Sequence, residues 1–263
     1  MTDSSARLAA GSVHPSTGLI FRSLFRADFT VLLRNARTLI LNIALPILIL
    51  VITGLHGGSA RAGFTGSVFD IALALTYGLM SSSLIGYSLT VARDRDAGVF
   101  QRLRVTPAPT WAIMTSRLLV QIVLDIIMTV IVVALGVITR HLDLTVAQVL
   151  LLGCVSIAGG AMFLAIAQAI VGLVRSAAVV NALGRVFYVV FLLLGLLGSS
   201  GLLGSTVHAI SNWSPVGAMI NLYGGVLELG SWDWTDTTGL IATAGYIVVG
   251  AFIGIRWFRW DSR

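Results

Sequence analysis

The chain has no lysine: all 17 of its basic residues are arginine. A Walker A loop needs a lysine to reach the β- and γ-phosphates, so this polypeptide cannot form one; if ATP drives its function, another chain binds the ATP. Cysteine is represented once, by Cys154 inside an apolar run. That excludes an intrachain disulfide and reads as an ordinary buried thiol. Charge is scarce at 11% of residues, whereas hydrophobic residues reach 57% and mean hydropathy is +0.95. A soluble domain of this size cannot hide so much apolar surface, and the composition implies an integral membrane protein. The four histidines, His14, His56, His141 and His208, lack metal-ligand spacing. No Gly-x-Ser-x-Gly elbow or paired-carboxylate motif is present, so catalysis within the chain is not expected. Residues 1–18 lack the apolar core of a signal peptide and read as a disordered cytoplasmic tail ahead of a single transmembrane domain, 19–263.

Six apolar runs of roughly 20 residues or more stand out as spans of an all-α polytopic protein. They lie near 38–56, 67–91, 114–138, 146–174, 178–204 and 238–258. A pI near 10.4 raises the question of nucleic acid. The arginines, however, sit at the ends of the apolar runs, where they orient a membrane protein. Fifteen fall before the first span, between spans two and three, between spans four and five, or after span six. Only Arg61 and Arg140 fall on the other side. The positive-inside rule therefore places both termini in the cytoplasm.

Ahead of the first span, residues 19–37 have helical periodicity. Phe21, Leu24, Phe25, Phe29, Leu32 and Leu33 share one face, and Arg26, Thr30, Arg34 and Arg37 line the other. A basic amphipathic helix of this kind lies in the membrane interface, although Asp28 interrupts its apolar arc; a plain extension of span one is the alternative. In span two the small residues Ala74, Gly78, Ser82 and Gly86 recur every four positions, a stripe that permits close helix packing. In span five Gly195, Gly198, Gly201 and Gly204 recur every three, either as a packing face or as a loosening helix end. Between spans five and six, Ser214 is positioned to cap a short helix with Pro215 at its first position. Gly224-Gly225 offers a turn, and Trp213, Trp232 and Trp234 suit the membrane interface. The expectation is one or two short re-entrant helices on the outer side.

The densest charge is "RDRDAGVFQRLR", with six charged residues between Arg93 and Arg104. Span two continues through Arg93, Asp94, Arg95 and Asp96, and Gly98 can end it in a left-handed conformation. A short helical turn follows, with Phe100 and Leu103 on one side and Arg102 exposed. Thr106-Pro107 then stops it. "RDRDAGVFQRLRVTPAPTWAIMTSRLL" resembles the cytoplasmic segment of ABC-2 type exporter permeases, approximately E-R-E-x-G-T-x-E-x-L-x-x-T-P before an apolar helix. Arg95, Gly98, Leu103, Thr106 and Pro107 match; Asp94 and Asp96 replace glutamates, and Val99 and Gln101 depart from the Thr and Glu. "LLRNARTLILNIALPILIL" and "SPVGAMINLYGGVL" are similar to the family's flanking regions, so the resemblance covers most of the chain.

The resemblance implies a dimeric permease of an ABC exporter, with each copy bound to an ATPase subunit that holds ATP and Mg. Residues 93–107 would be the coupling segment in a groove of that ATPase. The resemblance also implies export of an amphipathic or lipidic cargo such as a drug, antibiotic or lipid, with polysaccharide carriers in the same family. Charge alone also fits a stop-transfer loop on anionic lipid headgroups. The composition, rich in arginine, alanine and glycine, suggests a bacterial cytoplasmic membrane. Asp125 is the one acidic residue deep in a span, with Gln121 a turn away and Arg185 of span five as a candidate partner. It reads either as a structural ion pair or as a polar spot on a substrate or proton path. Gln168 and Asn181 are candidates for interhelical hydrogen bonds. A proton-coupled secondary transporter using Asp125 is the alternative function; a non-transporting membrane scaffold is a third class.

Overall fold

The computed structural model describes residues 16–34, 36–55, 67–104, 109–140, 142–174, 176–198 and 204–257. Helices α1 (Thr17–Arg34) and α2 (Ala36–Leu55) come first. Next, α3 (Ser67–Leu79), a π-helical segment (Met80–Tyr87) and α4 (Ser88–Asp96) run on as one rod, followed by the short α5 (Val99–Arg104). The long helices α6 (Thr110–Arg140), α7 (Val146–Leu173) and α8 (Ala177–Leu193) follow, the last ending in a π turn at Leu194–Gly198. Two shorter helices, α9 (Ser205–Trp213) and α10 (Pro215–Leu227), lead through a 3-10 turn to α11 (Trp234–Trp257). No strand occurs among the described residues.

Five helical stretches among the described residues are long and apolar enough to cross a membrane: Ser67–Asp96, Trp111–Arg140, Val146–Leu173, Ala177–Gly198 and Trp234–Trp257. They coincide with the expected spans two to six. Expected span one falls on α2, a 20-residue helix that runs through Pro46. The chain is a polytopic helical membrane protein. The rod from Ser67 to Asp96 is its axis, with 78% of its most apolar window buried against 11% for Ala177–Gly198. Small side chains allow this. Ala74 is fully buried, and a Cβ at Gly78 would stand 2.6 Å from the Met128 sulfur and 3.3 Å from Pro46.

The α7–α11 contact is closer still. A Cβ at Gly250 would meet the Ala165 backbone carbonyl at 2.8–2.9 Å, and one at Gly254 would meet Gln168 Cβ at 2.9 Å. Gly250 and Gly254 form a G-x-x-x-G pair on α11 that lets two backbones approach in a medium offering no hydrophobic drive. The glycines of span five divide between two roles. Gly195 lies under Tyr77 and Val216 and Gly198 under Ser211, while Gly204 takes φ +92° ahead of α9; Gly201 lies outside the described residues.

Several expectations change. Gly224-Gly225 is no turn: both residues lie inside α10, and Gly225 is needed because Asp236 presses on it, its Cγ 2.6 Å from where a Cβ would stand. The chain turns instead at Glu228–Ser231. Ser214 caps α10 as its side chain accepts from the Gly217 N–H at 3.1 Å, with Pro215 in the first turn. Asp70 is buried and paired with Arg140 at 2.6 Å, which joins the start of α3 to the end of α6. Cys154 is exposed on α7, since that helix turns one side away from the bundle. Trp213, Trp232 and Trp234 are all exposed at the end opposite α5.

Candidate coupling site

The segment 93–104 forms a knob beyond the arginine-rich end of the bundle. Helix α4 ends where Gly98 adopts φ +69°, its N–H donating to the Arg95 carbonyl at 3.0 Å. A Cβ there would meet nothing closer than Gln101 Oε1 at 3.6 Å, so conformation rather than space selects glycine. Helix α5 then runs back across the bundle with Phe100 buried, Leu103 half-buried, and Gln101 and Arg102 exposed. Arg93 is exposed on α4. Thr106 and Pro107 lie outside the described residues.

Arg95 points inward and is only 4% exposed. Its guanidinium donates from Nη1 to the Val171 carbonyl and from Nη2 to the Val174 carbonyl, both at 2.9 Å. These oxygens belong to the end of α7, where helix carbonyls lack intrahelical partners and a cation is favoured. Asp96 accepts from the Ala177 N–H at 3.2 Å, at the opposite pole of the next helix, α8. The N-cap residue of α8, Ser176, makes no side-chain cap of its own. Two adjacent side chains of opposite charge thus close the end of one helix and the start of the next. They tie α4 to both α7 and α8.

Arg117 of α6 makes the second attachment. Its Nη1 donates to Asp94 Oδ2 at 2.6 Å, its Nε lies 4.0 Å from Asp28 Oδ1, and its guanidinium sits 4.9 Å above the Phe100 ring. Ser116 donates to Asp28 Oδ2 at 2.5 Å. One arginine therefore links α1, α4, α5 and α6. The sequence presented Asp28 as a flaw in the apolar stripe of α1; it is the residue by which that stripe docks on α6. Phe21, Leu24, Phe25, Phe29 and Leu32 are half-buried along the same face, whereas Leu33 is exposed. Burial pushes the Asp28 carboxyl above its usual range, the Ser116 hydrogen bond and Arg117 pull it back, and Asp94 pushes it up again.

The deep polar residues form a separate cluster. Asp125 is fully buried, accepting from Ser82 at 2.6 Å on Oδ1 and from Ser83 at 2.5 Å on Oδ2. Gln121 donates to Asp125 Oδ1 at 3.3 Å and to Ser82 Oγ. Two consecutive serines reach one carboxylate because the π-helical segment, with i→i+5 bonding, widens the turn that carries them. Arg185 is not a partner: it is exposed on α8. Gln168 donates to the Tyr87 hydroxyl at 3.0 Å, and Asn181 is half-buried on α8. Beyond Asp125, Thr129 bonds the Asp125 backbone carbonyl at 2.8 Å and Ser156 Oγ at 2.8 Å. Ser156 in turn meets the Tyr223 hydroxyl at 2.7 Å. The Thr129, Ser156 and Tyr223 connection has no sequence signal beyond polar residues in apolar runs. Gly86, last of the four-residue stripe, is half-buried near this cluster. No group of three or more candidate metal ligands occurs among the described residues.

Both sites lie on elements that a known family shares. No curated protein matches the chain. The sequence profile of the family described as ABC-2 type transporter matches residues 20–226, from the amphipathic α1 through the knob at 93–104 and the buried cluster almost to the end of α10. The chain belongs to the ABC-2 type transporter family.

Proposed function

We propose that the chain is the transmembrane subunit of an ATP-driven exporter in a bacterial cytoplasmic membrane and that α5 is its contact with a separate ATPase subunit. The observation that carries this reading is the two-sidedness of the knob. Its inner face is fixed to the bundle by Phe100, Arg95 and Arg117, and its outer face carries the exposed side chains of Gln101 and Arg102. A loop that only met lipid headgroups needs charge but not this internal bracing. The arginine distribution supports a knob on the cytoplasmic side, where ATP is available.

The mechanism follows from the attachments. Closure of the ATPase pair on ATP displaces α5, and the displacement passes rigidly into α4 and the rod above it. Through Arg95 and Asp96 it reaches α7 and α8, and through Arg117 it reaches α6 and α1. Such a linkage shifts the bundle between discrete packings rather than deforming it continuously. Two copies, or one copy and a similar chain, enclose the route, and the apolar surfaces suit an amphipathic or lipidic cargo. ATP and Mg belong to the partner, in keeping with a chain without lysine.

Co-expression with a candidate ATPase subunit from the same genome tests this reading. The native chain is expected to retain the ATPase through detergent extraction and pull-down. Arg102→Glu, an exposed change that leaves Arg95 and Arg117 in place, is expected to release it. Retention by both proteins, or by neither, counts against α5 as the contact.

A further inference from the structure

Beneath α1 lies a cavity of about 280 Å³ that joins the α5 face of the molecule to the neighbourhood of Asp125. Asp28, Asp94 and Arg117 line its charged end. Tyr87, Ser82 and Gln121 line its inner end, and the last two are the groups that hydrogen-bond Asp125 Oδ1. The carboxyl is therefore one side chain beyond the cavity wall. We propose that Asp125 is a proton-binding site served from the α5 face through this cavity.

The surroundings of the carboxyl support a proton as the ligand. Its hydrogen-bond partners are Ser82, Ser83 and Gln121, all neutral, and no arginine pairs with it among the described residues. The α7 backbone packs closely beside the carboxyl: a Cβ on Gly160 would stand 2.7 Å from Oδ2. A carboxyl at membrane depth is expensive as an unpaired charge and is relieved either by donors or by a proton. This site provides for both forms. As a carboxylate Asp125 receives two hydroxyl protons; as an acid it returns one hydrogen bond to a serine oxygen by rotation of that hydroxyl, without displacement of heavy atoms.

The route is one-sided. At roughly 30 Å³ per molecule the cavity has room for about nine waters; its walls are mainly apolar, and Asp28, Asp94, Arg117, Tyr87, Ser82 and Gln121 are polar groups that would hold waters along it. In the other direction the chain of contacts leaves Asp125 through its backbone carbonyl, which Thr129 occupies, and only then reaches Ser156 and Tyr223. A backbone carbonyl passes no proton on. The titratable and charged groups on the surrounding elements are Tyr87 on the π segment, Asp94 on α4, Arg117 on α6, Asp28 on α1 and Tyr223 on α10; α7, which places Ser156 and Gly160 here, carries no charged residue. Protonation exchanges an acceptor for a donor in the contact that joins α6 to the rod carrying α5. The site is a proton-dependent grip, and it translocates nothing.

The experiment uses full-length protein in vesicles, with sidedness fixed by a membrane-impermeant thiol reagent on Arg102→Cys in a Cys154→Ser background. Infrared difference spectra follow the carboxylic acid C=O band after a pH jump on one face. Native protein carrying carbon-13 aspartate is expected to show a label-shifted band that grows on acidifying the α5 face and is missing in Asp125→Asn. Val31→Trp, an exposed position on α1 at the cavity wall, should reach the same amplitude at least about tenfold more slowly, because the side chain displaces the waters of the route. The proposal is overturned by any of three results in folded protein: no Asp125-dependent band, equal rates from the two faces, or an unchanged rate in Val31→Trp.

Discussion

Replacing Arg95 by methionine removes both bonds that hold α4 to the end of α7 while keeping an unbranched stem of similar reach. Each bond is 2.9 Å long and joins a charged donor to a terminal carbonyl. Hydrogen bonds of this type contribute about 1.5–3 kcal/mol apiece. The desolvation cost of the buried guanidinium offsets part of their sum, because an apolar replacement no longer bears it. The expected net loss is about 2–4 kcal/mol. Arg95→Lys keeps the charge but not the two-pronged geometry and should lose about half as much. Asp96→Asn, which disturbs a single exposed contact with the α8 N-terminus, should cost less than about 1 kcal/mol. Equilibrium unfolding by SDS in mixed micelles ranks the three. The same variants should order identically in their loss of permease-stimulated ATP hydrolysis when the partner is present. Arg95→Met within about 0.5 kcal/mol of native stability, the ordinary range for surface substitutions, would refute the reasoning: the buried guanidinium would then be a passenger.

Other outcomes follow from the same geometry. Gly98→Ala should destabilise by about 1–2 kcal/mol through its φ of +69° alone, with Gly98→Asn milder, in the same unfolding assay. Gly250→Ala should destabilise because its methyl group meets the Ala165 backbone, whereas Gly245→Ala enters open space on the same helix and should gain up to about 1 kcal/mol; thermal melts in detergent distinguish them. Arg117→Gln should raise amide exchange in both α5 and α1, since one guanidinium restrains both. The Asp28 carboxyl, raised from its ordinary 3.8 chiefly by burial, contributes to docking of α1 that is complete below that value and declines as pH rises through its folded pKa. Asp28→Asn should flatten that dependence in hydrogen exchange of α1.

Expected spans two to six were legible because each is a sustained apolar run, and the knob because Gly98 and a dense charge segment punctuate the chain where the apolar pattern stops. The amphipathic period of α1 was legible too, but its one defect, Asp28, acquires meaning only when Ser116 and Arg117 are brought beside it. The inward turn of Arg95 could not be read, since charge at the end of a span suggests solvent and its acceptors lie more than seventy residues away. Pairing Asp125 with Arg185 failed for a related reason. Opposite charge is the obvious partner for a buried carboxylate, but a π-helical turn presents two serines instead, and no side-chain pattern announces π bonding. Gly224-Gly225 misled because the pair that usually marks a turn is equally suited to a close contact within a helix.

The central claim is that the outer face of α5 meets an ATPase. A photo-crosslinking residue placed at Gln101, and separately at the exposed Ile210 on the opposite end of the bundle, tests it in native membranes containing both subunits. The account predicts a crosslinked product with the ATPase from position 101 and none from position 210. A product from position 210 alone, or none from position 101 although the two subunits copurify, contradicts it.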